Sequence, residues 1–152
     1  MRVNRSMPTS MVIPVLAYPD VAHAVRWLCD AFGFTERLRI GDHRAQLTFG
    51  DGAIVVAHQP PGRGADSGDA SESRPAPGGE AGHSVMVRVE DVDRHHDQAK
   101  RHGAQIVQPP ADYPYGERQY TAKDLAGCTW TFSQSIADVA PEEWGGTLVT
   151  ER

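Results

Sequence analysis

The residues of this chain that are best suited to chemistry are Arg118 and Tyr120, which lie two positions apart. In a β-strand, side chains two positions apart point to the same face. Across the next hairpin we expect Arg118 to pair with Ser133. Tyr120 is expected to pair with Thr131, which would bring a guanidinium, a phenol and two hydroxyls to one surface. Since the planar guanidinium matches a carboxylate, this surface is predicted to be a polar wall on which Arg118 orients a ligand.

Both residues have an alternative, structural role. Arg118 would instead form a salt bridge with a nearby acid, Glu117 or Asp124. Tyr120 would fill the cavity with its ring while its hydroxyl contacts water. Further members of the predicted polar surface, all on an earlier strand, are Ser84, Met86 and Arg88.

The opposite wall of the site is predicted to be apolar. The segment Gly50-Asp51-Gly52 is typical of a hairpin turn, and apolar side chains alternate on both sides of it. The pairs that we expect across this turn are Phe49 with Ile54, Leu47 with Val56, and Ala45 with His58. Only His58 is polar among them. A concave site with one apolar and one polar wall is typical of a small-molecule pocket.

Other reactive residue types do not form a recognisable site. His95 and His96 are adjacent, and neighbouring helix positions point about 100° apart, so the two side chains cannot hold one metal ion together. Cys29 and Cys128 lack the paired spacing of a zinc or redox site and are expected to be reduced structural thiols. No glycine-rich phosphate loop follows a predicted strand, and no Ser, Cys or Thr has the sequence context of a known nucleophile.

An internal repeat supplies the elements that position these side chains. Asp20 and Asp91 are each preceded by a predicted strand and followed by an amphipathic helix that ends at a glycine, Gly33 or Gly103. The two aspartates are 71 positions apart. Each half continues with three further strands and therefore reads βαβββ. The chain is predicted to have an α+β fold in which two βαβββ modules surround a shared cleft.

The predicted boundaries follow changes in composition. They are a flexible leader over 1–10, a single domain over 11–135 and a C-terminal tail over 136–152. The domain comprises module one over 11–59, a linker over 60–82 and module two over 83–135. The linker is rich in Pro, Gly and Ser and has almost nothing to bury. We also predict a loop over Pro109–Gly116 and, in the tail, a short helix whose Trp144 packs against the domain.

Composition excludes several classes of function. A chain of 152 residues is the size of one ordinary domain. Its formal net charge is -5, and no basic run is longer than Lys100-Arg101, so the positive surface of a nucleic-acid-binding protein is missing. No apolar stretch of about 18 residues and no charged-then-apolar leader is present. We expect a cytoplasmic protein with no nucleic-acid partner and no membrane partner.

The motifs of both modules resemble those of the vicinal oxygen chelate superfamily, which includes glyoxalase I, extradiol dioxygenases and bleomycin-resistance proteins. The motif residues are Ile13-Pro14-Val15-Leu16, Pro19-Asp20-Val21 and Ala31-Phe32-Gly33-Phe34 in the first module, and Tyr115-Gly116-Glu117-Arg118, Asp124, Gly127 and Trp130 in the second. They are most similar to the PhnB-like, glyoxalase-like branch. The resemblance covers residues 11–135 without the linker, and it implies the glyoxalase-like fold and a homodimer.

Enzymes of this superfamily hold a divalent metal with four His, Gln or Glu side chains, two from each module. The resemblance implies that the equivalent positions here are Ile13, Val56, Ser84 and Thr131. None of the four supplies the nitrogen or carboxylate donor that such a metal needs. His83 is one position from Ser84, and a shift of one residue would turn it to the other face of the strand. We therefore expect no metal and no cofactor.

Two hypotheses of function follow. The first is a metal-free small-molecule-binding protein of the bleomycin-resistance type, which sequesters an apolar or aromatic ligand bearing an anionic or carbonyl group. Arg118 and Tyr120 would fix the polar end of the ligand. The further ligand-binding residues are Ser84, Met86, Arg88, Thr131 and Ser133 on the same wall and His58 on the apolar wall. The residues expected to contact its apolar part are Ile13, Leu47, Phe49 and Val56.

The second hypothesis is a glyoxalase-like lyase, isomerase or dioxygenase. In its metal-independent form, Arg118 would stabilise an enolate while Tyr120 or His58 carries the proton. In its metal-dependent form, a rearranged set of ligands would come from His58, His83 and Glu117. Stoichiometric metal in the purified protein would favour this second hypothesis.

Overall fold

The computed structural model describes residues 4–59 and 82–149, so nearly all of the predicted linker over 60–82 lies outside the described residues. The first module contains β1 (Val15–Tyr18), α1 (Val21–Trp27), β2 (Thr35–Ile40), β3 (Arg44–Phe49) and β4 (Gly52–His58). The second module contains β5 (Val85–Arg88), α2 (Val92–Arg101), β6 (Gln105–Tyr113), β7 (Glu117–Lys123) and β8 (Thr129–Ser135). Both modules are βαβββ, and the predicted α+β class is confirmed.

Within the described residues, each module forms its own four-stranded sheet. The strand orders are β1-β4-β3-β2 and β5-β8-β7-β6. The pairs β1–β4 and β5–β8 are parallel, and the others are antiparallel. A parallel pair needs a long crossover connection, which here includes the helix. In the strand order, β1 and β5 are both edge strands, and each has one side without a neighbouring strand in its sheet.

The two helices begin at the predicted aspartates. Asp20 Oδ1 accepts a hydrogen bond from the His23 backbone N–H at 3.1 Å, and Asp91 Oδ1 accepts one from Arg94 at the same distance. Both are N-caps, which satisfy a helix donor that has no partner within the helix. Helix α1 continues into a π-helical turn, Leu28–Phe32, that ends at Gly33 with φ 87°. This ending leaves the Phe32 carbonyl available to a side chain of the second module.

The two modules share one hydrophobic core. Phe32 of the first module packs on Trp130 and Phe132 of the second, with ring centroids 5.2 and 4.8 Å apart. All three side chains are fully buried. The Tyr18 hydroxyl donates to Asp124 Oδ2 at 2.7 Å, which adds a buried polar link between the modules. The modules are therefore packed as one unit.

The predicted loop over Pro109–Gly116 is wrong, because strand β6 extends to Tyr113. β6 is the edge strand of its sheet, and its pairing with β7 is irregular between Gln108 and Ala111. The prolines at 109 and 110 lie in this irregular part. An edge strand tolerates proline because the missing N–H has no ladder partner to lose on the open side.

The two ends of the chain contact the sheets. Within the predicted leader, the carbonyl of Ser6 accepts from Gln46 and that of Met7 accepts from Arg37. The predicted tail helix is reduced to a 3₁₀ turn, Pro141–Trp144. The Trp144 ring lies 5.6 Å from that of Tyr115, which confirms that the tail packs against the domain. Among the residues described, no helix has the length and apolarity to cross a bilayer.

Candidate functional site

A cavity of about 860 Å³ lies at the junction of the two modules. The first module contributes the segment before β1, Phe34 after the π-helical turn, and the β3–β4 hairpin. The second module contributes β5, the residues that follow it and one face of α2. Its lining residues from the first module include Val12, Pro14, Phe34, Phe49, Asp51 and Ile54. Those from the second are residues 85–91 together with Arg94, His95 and Gln98. The volume lies within the range of small-molecule sites.

The wall from the first module is apolar. Phe34 and Ile54 are buried, and Phe49 is half-buried. The rings of Phe34 and Phe49 meet edge to face with centroids 5.4 Å apart. Phe34 also contacts Trp130 across the module boundary at 5.6 Å. This wall is rigidly supported by the shared core, and it offers an apolar surface for a ligand to cover.

The wall from the second module carries the polar groups. Arg88 at the end of β5 and Arg94 on α2 are exposed side chains that line the cavity. Neither forms an ion pair with a carboxylate of the residues described in the structure. Three acidic residues also line the cavity: Glu90 and Asp91 on this wall, and Asp51 at the β3–β4 turn of the first module. The rim therefore carries charges of both signs.

His95 lies between the cavity and the core. Its Nε2 is 2.7 Å from the Phe32 carbonyl oxygen, and its Nδ1 is 2.6 Å from the Tyr120 hydroxyl. Because a carbonyl oxygen only accepts, Nε2 carries the proton and Nδ1 accepts from the phenol. Burial lowers the pKa of His95, and the hydrogen bond to Phe32 opposes this only in part. The imidazole is therefore neutral, with both nitrogens engaged inside the protein.

A polar network covers the face of the second sheet that points away from the helices. Gln119 Nε2 donates to Ser133 Oγ at 3.0 Å, and Ser133 Oγ donates to Glu117 at 2.5 Å. Ser135 donates to the other carboxylate oxygen at 2.6 Å. These hydroxyls, Ser133 first, hold the pKa of Glu117 below its usual value, and the charge of Arg88 adds to the effect. The network is internally satisfied and keeps Glu117 ionised.

The pairing that we predicted for the second module is wrong by one residue. Tyr120 pairs with Phe132 and Arg118 with Gln134, whereas Thr131 pairs with Thr121. A shift of one residue moves a side chain to the other face of the sheet. Arg118 and Tyr120 therefore lie on the helix side, and Thr131 and Ser133 lie on the opposite side. The sequence-predicted polar wall is divided between two faces.

Arg118 does not line the cavity. Its Nη1 donates to Asp112 at 2.8 Å, and its Nη2 donates to Asp93 at 3.1 Å. These carboxylates, Asp112 first, raise the pKa of the guanidinium. The alternative role as a salt bridge is the one that the structure shows, although with partners other than Glu117 and Asp124.

Tyr120 is also placed away from the cavity. Its side chain is buried in the core beside Phe132, and burial raises the pKa of its phenol. The hydroxyl lies within hydrogen-bonding distance of His95 rather than water. The ring therefore contributes to the packing between α2 and the second sheet.

The observed pairing in the first module is offset by two residues from the predicted pairing. Because side chains alternate with a period of two, the same side chains still share one face of the sheet. Leu47 pairs with Ile54, Ala45 with Val56, and Phe49 with Gly52. The face that they share is the one covered by helix α1, so Leu47 and Val56 are fully buried in the core rather than exposed to the cavity. Only the hairpin end of this face, at Phe49 and Ile54, reaches the cavity.

Three of the residues predicted for the site therefore line the cavity: Phe49, Met86 and Arg88. Ile13 is half-buried between the lining residues Val12 and Pro14. Ser84 precedes β5 and is exposed, and His58 is exposed at the end of β4. The hydroxyls of Thr131 and Ser133 belong to the opposite face of the second sheet, where Thr131 Oγ1 lies 3.3 Å from that of Thr121.

The lining residues that the sequence analysis missed include Phe34, Arg94, His95 and Gln98. The last three share one face of α2 with Asp91, at the i, i+3, i+4, i+7 spacing of a helix stripe. This spacing could have identified the three residues, if the stripe had been taken as the face of α2 that is turned towards the first module. Gln98 confirms this orientation, because its Nε2 donates to the Asp30 carbonyl of the first module at 2.8 Å.

The side chains present do not fit the divalent metal that the sequence resemblance implies. Of the four equivalent positions, Val56 is in the core, and its neighbour on the opposite face, Val55, is likewise apolar. Ser84 and Thr131 offer only hydroxyls, and Ile13 offers no donor. Across residues 4–59 and 82–149, no three His, Cys, Asp or Glu side chains come together as metal ligands would.

Comparisons with known proteins agree with the fold described above. The family model of the Glyoxalase/Bleomycin resistance protein/Dioxygenase superfamily matches residues 10–132 of this chain. The crystal structure of TioX from Micromonospora sp. ML1 is 36% identical, with 84% of this chain and 99% of that chain covered and a TM-score of 0.64. A glyoxalase/bleomycin resistance protein/dioxygenase from Nocardioides is 20% identical, with 94% and 91% covered and a TM-score of 0.60. A family enzyme from Burkholderia phytofirmans PsJN is 15% identical, with 82% and 97% covered and a TM-score of 0.63. Among curated proteins, no sequence matches.

Proposed function

Because the chain belongs to the glyoxalase/bleomycin resistance protein/dioxygenase superfamily, we propose that it binds and sequesters a small molecule without the help of a metal. The ligand is apolar or aromatic and bears an anionic or carbonyl group. The observation that carries the proposal is the 860 Å³ cavity, which has an apolar wall on one module and polar groups on the other. Such a site gains affinity from desolvation and orientation from a few polar contacts.

The apolar part of the ligand would lie against Phe34, Phe49 and Ile54. Burial of apolar surface contributes about 25 cal/mol for each Å² removed from water. Part of this gain offsets the lost freedom of the ligand, so the rigidity of the wall matters. Arg88 and Arg94 take the orienting role that the sequence assigned to Arg118. Either guanidinium offers a planar pair of donors to a carboxylate or a carbonyl oxygen.

Binding without turnover is favoured by the state of His95, which lines the cavity, and of Tyr120, which it contacts. A proton carrier needs a free nitrogen or oxygen within reach of the ligand. Both nitrogens of His95 are engaged by Phe32 and Tyr120, and the Tyr120 hydroxyl is buried. The absence of nitrogen and carboxylate donors at Ile13, Ser84 and Thr131 supports the metal-free part of the proposal.

The proposal has three further parts. We propose a homodimer, supported by the exposed apolar side chains of Met11, Val12 and Val15, which are 82, 82 and 56% exposed. We propose a cytoplasmic location, supported by Cys29 and Cys128, which are not joined in a disulfide. We assign the chain to the PhnB-like branch on the basis of its Tyr115–Arg118 motif. Light scattering over a range of concentrations tests the dimer.

Thermal-shift measurements with a panel of aromatic carboxylates, ketones and amides test the binding proposal, with 2-naphthoic acid as the reference compound. A ligand that binds only the folded state raises the melting temperature by mass action. We expect Phe49→Ala to reduce the shift produced by 2-naphthoic acid, because it removes part of the apolar wall. Val107→Ala is the matched control, since Val107 is 52% exposed on β6 and does not line the cavity.

The compound is recovered after incubation and analysed by mass spectrometry. Sequestration predicts that it is unchanged. Conversion to a product would contradict the binding proposal in favour of an enzyme. Equal loss of the shift in both variants, or the lack of a shift with every compound in the panel, would remove the cavity as the binding site.

A further inference from the structure

Strand β5 presents its edge, rather than one of its faces, to the cavity. All four residues of β5, Val85–Arg88, line the cavity, as do the next three residues, 89–91. Side chains alternate between the two faces of a strand, so a surface that touches every residue in turn must run along the strand edge. β5 is the outermost strand of its sheet, with β8 on one side only. The cavity therefore occupies the position where a further strand would pair.

The pairing register identifies which backbone groups face the cavity. Val87 is in register with Phe132 of β8, and the Val89 N–H donates to the Ser133 carbonyl at 2.9 Å. The N–H and C=O of alternate residues point to alternate sides of a strand. The N–H and C=O of Met86 and Arg88 therefore point away from β8. Within the described residues, neither residue has a backbone partner outside the β5–β8 ladder.

The charged side chains at the rim of the cavity favour neither an anionic nor a cationic ligand. Arg88 and Arg94 are balanced by Asp51, Glu90 and Asp91. The Asp91 carboxylate is already used as the cap of α2. The free edge of β5 offers alternating backbone N–H donors and C=O acceptors. The ligand that matches such a row is another amide backbone. A purely apolar ligand would cover these groups and leave them unpaired, which is unfavourable.

We propose that the ligand of this cavity is peptide-like, with secondary amides that pair with the free edge of β5 at Met86 and Arg88. Its aromatic or aliphatic substituent lies against Phe34, Phe49 and Ile54, on the opposite wall. This inference rests on the proposed binding function and names its ligand class. The amide carbonyl takes the place of the carbonyl group that the binding proposal requires.

The first test compares two neutral probes by NMR titration. N-acetylphenylalanine N-methylamide carries two secondary amides and one aromatic ring, and its analogue with both amide nitrogens methylated keeps the ring and the carbonyls but has no N–H. We expect the methylated analogue to bind roughly tenfold more weakly, because it loses its donors to the strand edge. Equal or tighter binding of the methylated analogue would overturn the inference.

The same titration separates this inference from the binding proposal. If 2-naphthoic acid binds and neither amide probe does, the peptide-like ligand class is wrong while the cavity remains a binding site. If none of the three compounds binds, both proposals fail.

Hydrogen exchange at individual backbone amides tests directly whether the edge of β5 is free. In the free protein we expect the amides of Met86 and Arg88 to exchange fast and those of Val87 and Val89 to exchange slowly. The diamide probe should slow exchange at Met86 and Arg88. Protection of these two amides in the free protein that increases with protein concentration would assign the edge to a second copy of the chain and overturn the inference.

Two variants at Met86 distinguish a contact made by its backbone N–H from a contact made by its side chain. Met86→Pro removes the free N–H, at an edge position where proline breaks no ladder bond. Met86→Ala keeps the N–H and removes the side chain. We expect the diamide probe to bind at least severalfold more weakly to Met86→Pro than to Met86→Ala. Equal affinity for two folded variants would show that the Met86 N–H makes no contact, contrary to the inference.

Discussion

At the scale of single residues, the His95 imidazole connects three parts of the molecule. It joins the end of the π-helical turn at Phe32 to helix α2 and to Tyr120 on β7. The ring is also close to Phe132, with centroids 4.2 Å apart. In the neutral ring, Nδ1 accepts from the phenol while Nε2 donates to the Phe32 carbonyl. Burial of the ring favours this neutral form.

This arrangement predicts a pH dependence of stability. Burial lowers the pKa of His95 in the folded protein below its ordinary value of 6.5. As the pH falls below about 6.5, the unfolded chain takes up a proton that the folded chain does not, so stability falls and levels off below the folded-state pKa. We expect His95→Gln to show a smaller loss of melting temperature between pH 8 and pH 5 than the wild type.

His23→Gln is the control for this measurement, because His23 is an exposed residue on α1. Its melting temperature should follow the wild-type pH profile. A His95→Gln profile as steep as that of the wild type would show that His95 is not the group that titrates.

At the scale of elements, the β7–β8 hairpin shows why the site was only partly predictable. Strand and helix positions follow from periodicity and from the caps at Asp20 and Asp91. The register across β7 and β8 depends on the turn, where Asp124 accepts from the backbone N–H groups of Ala126 and Cys128. This carboxylate organises a five-residue connection between Lys123 and Thr129, which pair. Sequence alternation alone does not specify its length, and an error of one residue reverses every face.

A matched pair of glycines tests the packing of the tail on β7. Gly116 and Gly103 both have positive φ, 86° and 91°. A Cβ at Gly116 would lie 2.1 Å from the Ala137 carbonyl oxygen, whereas one at Gly103 meets nothing within 4 Å. We expect Gly103→Ala to lower the free energy of unfolding by about 1–2 kcal/mol through backbone strain alone. Gly116→Ala should lower it further, because the tail must move.

Chemical denaturation of both variants measures this difference. Equal destabilisation would contradict the account, since it would show that the tail does not pack tightly on the turn at Gly116. The C-terminal turn up to Trp144 would then make no contribution to the stability of the second sheet.

At the scale of the whole molecule, the cavity exists because the two modules share one core. Phe32 and the contacts of Gln98 and Trp27 fix α1 against α2, with Trp27 Nε1 donating to the His102 carbonyl at 2.8 Å. The β3–β4 hairpin is thereby held opposite the edge of β5. The repeat in the sequence predicts that two modules form a shared cleft. It does not specify which faces meet, and for that reason Phe34 and Arg94 were not predicted.

The most direct test of the central claim is a map of backbone amide shifts during titration with 2-naphthoic acid. A ligand in the cavity predicts that the perturbed residues come from both modules: residues 49–54 in the first, and residues 85–91 with Arg94, His95 and Gln98 in the second. Perturbation confined to Gln119, Thr131 and Ser133 on the far face of the second sheet would contradict the claim, as would a spectrum that does not change.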